Sequence, residues 1–142
     1  MKADSFWGRH SLSIVSLAIL ILWIVLYTRT DPETHWGSFL GNSVADWFGV
    51  VALVLATKHL YEKGSHESHD VPKGLHGFRK LIAEHSLSLF FAVTAAGWFY
   101  AYSRVPATSK WAMVTGSALS EWLQILALIL MTKRLTEIHS KE

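Results

Sequence analysis

The chain has 142 residues, 51 % of them hydrophobic, and a positive mean hydropathy of +0.27, more apolar matter than a soluble domain of this length needs for its core. Thirteen Lys and Arg against eleven Asp and Glu leave a net charge of +2, too small a surplus for a nucleic-acid footprint. The absence of cysteine excludes disulfides, thiolate metal sites and cysteine nucleophiles.

Residues 11–28 carry no formal charge over 18 positions, the length with which a helix at ~1.5 Å per residue covers most of a ~30 Å hydrocarbon layer. This predicts a first spanning helix at about 10–28. No Ala-x-Ala-like cleavage site precedes Asp31, so the segment is expected to be retained rather than removed as a signal peptide. Residues 36–57 hold one charge, Asp46, and predict a second helix at about 36–60. Residues 68–84 read as a charged linker. A third helix is expected at about 85–103, from the charge-free run 86–103, and a fourth at about 111–135, where Glu121 is the single charge between 111 and 132. All three prolines, Pro32, Pro72 and Pro106, fall in connections, where a missing amide donor breaks no helical bond. The fold class expected is an all-α membrane protein with four transmembrane helices.

Ten of the thirteen basic residues (Lys2, Arg9, Lys58, Lys63, Lys73, Arg79, Lys80, Lys133, Arg134, Lys141) lie in the N-terminal arm, the long connection and the tail. The positive-inside rule then places both termini on the cytoplasmic face of a bacterial inner membrane. Trp23, Tyr27, Trp36, Tyr102 and Trp111 gather at the opposite helix ends, as an aromatic belt should.

Offsetting the sequence against itself by 75 residues aligns His10-Ser11-Leu12-Ser13 with His85-Ser86-Leu87-Ser88, and the register runs without a gap to Glu67 and Glu142 with 19 identities in 58 positions. Composition alone gives about five. The chain therefore reads as two tandem two-helix units, 1–67 and 85–142, joined by the linker 68–84. Because each unit crosses twice, both copies share one orientation about a pseudo-twofold axis along the membrane normal.

Asp46 and Glu121 occupy equivalent positions, each roughly 15 Å from either interface and so near the midplane. A carboxylate there must face the bundle interior, a partner subunit or water. Asn42 and Ser117 stand one turn earlier, and Ser43, Ser120 and Gln124 extend the polar strip. Alongside it Gly37, Gly41, Ala45 and Gly49 recur every four residues, with Gly116 matching Gly41, and such small residues suit close helix packing. Two readings of the acids stand together: a site that binds or relays a cation or proton, and protonated glue between helices. Seven of the eight histidines (His10, His59, His66, His69, His76, His85 and His139) fall on the cytoplasmic side, and His66 with His69 has a spacing compatible with a metal, although a solvated loop is the plainer reading. The basic helix ends suit anionic lipid head groups or serve only to set topology. No nucleotide loop, Ser-His-Asp set or metalloprotease motif occurs, so no enzymatic activity and no cofactor are expected.

The segments His85-Ser86-Leu87-Ser88-Leu89, Ser120-Glu121-Trp122-Leu123-Gln124 and Gly64-Ser65-His66-Glu67-Ser68 resemble a family of small bacterial multi-pass membrane proteins with an Asn-Ser-Leu-Ser-Leu start, a Ser-Glu-Phe-Leu-Gln helix and a Gly-Ser-x-Glu-Ser end. This chain has His10 and His85 in place of the Asn, and Ala45-Asp46-Trp47 where the first copy would read Ser-Glu-Phe. The rhythm of Trp23, Trp36 and Asn42 also looks faintly like the low-affinity iron permease group, without that group's Gln-Asn run.

The expectation is thus an oligomeric cation or proton channel or transporter in the lipid bilayer, with no nucleic-acid partner. The alternatives are a non-catalytic membrane subunit that assembles with a larger complex, and a metal or haem site using His10, His59 and His85.

Overall fold

The computed structural model describes residues 5–63 and 69–133, which form five helices and no strand. They are α1 (Phe6–Thr28), α2 (His35–His59), α3 (Gly77–Glu84), α4 (Ser86–Arg104) and α5 (Trp111–Met131). Ser5 caps α1 by accepting from the Gly8 amide at 3.0 Å, and Thr34 caps α2 by accepting from Gly37 at 3.0 Å, which fixes where each helix begins. The N-terminal cap lets α1 start four residues earlier than the charge-free run implies, taking Arg9 into its first turns.

Three helices, α1, α2 and α5, are long and apolar enough to cross a membrane, and a fourth span exists if α3 and α4 count as one segment bent by 67°. By itself α4 is diluted by Trp98, Tyr100, Tyr102 and its Ser, Thr and Gly residues. The linker expected at 68–84 is in part helical: α3 occupies Gly77–Glu84, entered through Gly74 and Gly77, whose φ values of 106° and 61° suit residues lacking a Cβ. This element was missed because eight residues are too few to show a period against a charged background.

The helices pack as antiparallel hairpins, α1 on α2 and α4 on α5, joined through an α2–α5 seam. Two cores flank the seam. One gathers Leu20, Tyr27, Leu40, Val44, Val51 and Val114, and the other gathers Ala56, Leu87, Phe91, Ala95, Trp122 and Ile129. Trp122 anchors the second, edge-on to Trp98 at 5.5 Å and donating from Nε1 to the Thr94 hydroxyl at 2.7 Å, so its one polar atom is satisfied. Only Ser16, Leu20 and Tyr27 of α1's 23 residues are buried, while Leu17, Ile21 and Leu22 are exposed. A helix apolar all round yet so little covered by protein suits a hydrocarbon surrounding.

Lys110 ties the hairpins at one end. Its ammonium takes the last carbonyls of α1, on Tyr27 at 3.1 Å and Thr28 at 3.3 Å, and that of Thr30 just beyond at 3.4 Å, and lies 4.9 Å above the Tyr27 ring. In return the Tyr27 hydroxyl donates to the Lys110 carbonyl. A cation on orphan carbonyls at a helix C-terminus is favourable on both hydrogen-bond and dipole grounds.

Gly41, Gly49 and Gly116 receive side chains, whereas Gly37 meets backbone. Gly41 lies under the Tyr27 ring and the Met113 methyl, Gly116 under Tyr102, and Gly37 against the backbone of Asp31 and Pro32. Gly97 faces open space. Gly37→Ala is therefore expected to lose about 1–3 kcal/mol or more, since rigid backbone must move. Gly97→Ala should be neutral or stabilising by up to about 1 kcal/mol. Thermal unfolding of the two variants in detergent checks the contrast.

Candidate functional site

Asp46 lies near the middle of α2 and Glu121 at the middle of α5, and the seam brings the two within electrostatic reach of each other. The Glu121 side chain lies across Gly49, where an added Cβ would come 2.5 Å from its Cγ. Gly49 is thus the seat of the carboxylate arm. One turn away Ser117 donates to the Asn42 side-chain oxygen at 3.0 Å, linking α5 to α2. Asp46 and Asn42 are exposed, whereas Glu121 and Ser117 are half-buried, so the four form a polar strip along one edge of the seam.

The other residues expected at this site are placed differently. Ser43 turns into the packed face and donates back to the Phe39 carbonyl at 2.9 Å, away from the acids. Ser120 and Gln124 are exposed on the outer side of α5, 3.4 Å apart, in a shallow groove of about 410 Å³ shared with Gly116, Leu119, Leu123 and Ala127. The buried stripe of α5 runs through Val114, Ala118, Trp122 and Ile125; Ser120 falls on nearly the opposite side, whereas Gln124, three residues after Glu121 and seven after Ser117, shares their face. Ala45 is fully buried in the α2 face. Among the described residues no group of three or more His, Asp or Glu is arranged to hold a metal, and His66 lies outside them.

A second polar cluster, unforeseen from the sequence, closes the opposite end of the bundle from Lys110. Glu62, just past α2, has a fully buried carboxylate that pairs with the Lys133 ammonium, with His85 Nδ1 at 2.9 Å and with the Ser88 amide at 2.9 Å. Ser88 is the third residue of α4, a helix with no cap from its own N-terminal side chain. The Tyr61 carbonyl accepts from the Leu87 amide at 2.9 Å, so residues 61–62 cap α4 from outside. Burial pushes the Glu62 carboxyl upward, but Lys133, Ser88 and His85 together outweigh it and hold the carboxyl below its ordinary value. In the first hairpin Lys58 meets His10 Nδ1 at 2.8 Å, as Lys133 meets His85 at 3.3 Å. The sequence signal was present: Glu62, like His85 and Lys133, is identical to the residue 75 positions away, in its case Glu137, which lies outside the described residues.

No family model, curated protein or solved structure matches this chain.

A folded-state carboxyl held below its unfolded value contributes stability that is complete above the unfolded value and drains away as pH falls through the lowered one. Glu62→Gln is expected to cost about 3 kcal/mol, the low end for a broken buried pair, because Lys133 keeps 19 % exposure and regains some water. Lys133→Met should cost more, since it removes the ammonium from a carboxylate that stays fully buried. Unfolding in detergent as a function of pH should show wild-type stability falling below the ordinary glutamate range, with that part of the slope missing in Glu62→Gln.

Proposed function

We propose that the chain is an integral membrane protein of four transmembrane helices that passes cations or protons through a homo-oligomer, with Asp46 and Glu121 as the ion or proton site and Asn42 and Ser117 supplying hydrogen bonds around them. The observation that carries this reading is the exposure of Asp46 near the middle of a spanning-length helix. Left against lipid, an acid at that depth costs at least about 2.5 kcal/mol. The strip of Asn42, Asp46, Ser117 and Glu121 therefore calls for a covering surface, and a second copy presenting the same strip would enclose a polar path between subunits. Ser120 and Gln124, exposed on α5, extend the polar surface available to such an interface.

The helices are further read as two tandem copies about a pseudo-twofold axis along the membrane normal. Support comes from residues 75 positions apart. Asn42 bonds its own equivalent, Ser117, as residues on a twofold axis would, and the pairs His10–Lys58 and Tyr27–Gly41 recur as His85–Lys133 and Tyr102–Gly116. The excess of Lys and Arg at the Lys58 and Lys133 ends assigns that face, with both termini, to the cytoplasmic side of a bacterial inner membrane. This agrees with the resemblance to small bacterial multi-pass proteins. The reading assigns no catalytic residue and no cofactor.

One observation favours a different role. The Ser117–Asn42 bond already uses the strip as interhelical glue, which suits a membrane subunit that assembles with a larger complex.

Ion flux through the purified protein in liposomes, with several cations at two pH values, separates the two. Channel function predicts flux in wild type and its loss in the Asp46→Asn, Glu121→Gln double variant, with helicity and melting unchanged. A silent, well-folded wild type would transfer the reading to the subunit role, and undiminished flux in the double variant would remove the acids from the pathway.

A further inference from the structure

The apolar side of α3 points away from the protein. Phe78, Leu81 and Ile82 follow the one-face spacing of a helix and are 74 %, 53 % and 45 % exposed. The opposite side holds Lys80 and Glu84, paired with each other at 3.8 Å, and it is this hydrophilic side that is fastened to the rest of the chain: Glu84 pairs with Lys63 at 3.4 Å, and its carbonyl accepts from the Lys63 amide at 2.7 Å. That side also borders an open cavity of about 370 Å³ whose lining includes Lys63, Asp70, Lys73, His76, Lys80 and Glu84. In water the polarity would be reversed, with the apolar face against the protein.

The axis of α3 departs from that of α4 by 67° at His85. If α4 runs across a bilayer, α3 leaves it close to the plane of the surface, at the level of the basic helix ends. Arg79, at the flank of the apolar face, and Lys73, in the preceding turn, place positive charge at head-group depth.

We propose that α3 is an interfacial helix, which lays Phe78, Leu81 and Ile82 into an anionic bilayer surface and so fixes the depth and tilt of the second hairpin. The inference rests on the membrane-spanning reading of the chain but not on ion conduction.

The native chain has no cysteine, so single labels report cleanly. Full-length protein with Phe78→Cys, Ile82→Cys, Lys80→Cys or, as an insertion control, Leu17→Cys is spin-labelled and reconstituted into phosphatidylcholine vesicles with and without phosphatidylglycerol. Accessibility to oxygen and to a water-soluble nickel chelate is then measured. Labels at 78 and 82 should favour oxygen several-fold more than the label at 80, and should move deeper when phosphatidylglycerol is present. Chelate access at 78 and 82 equal to that at 80, with the label at 17 in lipid, overturns the docking of α3 alone. Loss of access to both reagents at 78 and 82 overturns it in favour of a protein partner, and a depth indifferent to phosphatidylglycerol overturns the part assigned to head-group charge. A label at 17 open to the chelate would overturn the membrane-spanning reading itself.

Discussion

The bundle is closed at one end around a single buried charge. A carboxylate removed from water is tolerated only when its hydrogen-bonding capacity is filled, and Glu62 is filled from three directions: the ammonium of Lys133 past α5, the ring of His85 and the amide of Ser88 at the start of α4. Glu62 itself follows α2. One side chain therefore fixes the relative heights of three helix ends, and residues 61–62 cap a helix whose own N-terminal residue does not. The packing above inherits that register, with Leu87 and Phe91 of α4 brought against Trp122 and Ile129 of α5.

Farther along the seam, polar side chains lie exposed at mid-height. Apolar residues on α1 and α5 need only hydrocarbon around them, whereas Asp46 and Asn42 need polar company. A closed cluster at the helix ends thus contrasts with an exposed polar strip at mid-height. Gly49 belongs with the strip, since its missing side chain lets the Glu121 arm lie across α2.

Much of the arrangement was legible because long apolar runs and charge placement are one-dimensional signals. The charge-free and singly charged runs locate the long helices to within a few positions. The offset of 75 residues brings Asp46 into line with Glu121 and Asn42 with Ser117; across the seam Asn42 bonds Ser117, and Asp46 lies within electrostatic reach of Glu121. What the offset does not report is which face of a helix is packed, so it does not set apart Ser43, which is buried and bonds back to Phe39, or Ser120, which lies nearly opposite the buried stripe of α5. The glycine spacing suits close helix packing, and side-chain placement adds that Tyr27, Tyr102 and Glu121 lie over Gly41, Gly116 and Gly49. Glu62 was passed over because it follows the end of an apolar run, where charged residues are ordinarily solvated. α3 escaped because it is short and amphipathic within a polar stretch.

The Lys110 clamp and the Glu62 cluster lie at opposite ends of the same pair of hairpins, and each depends on a particular axial height of α5. Sliding α5 by one turn, about 5.4 Å, would pull Lys110 from the terminal carbonyls of α1 and Lys133 from Glu62 in a single movement. Displacement along the helix axis is thus opposed from both ends at once, whereas rotation or bowing of the middle of the seam strains neither. Any motion this fold permits is accordingly concentrated at the level of Asp46 and Glu121, as the span of a beam fixed at its supports gives most at its centre.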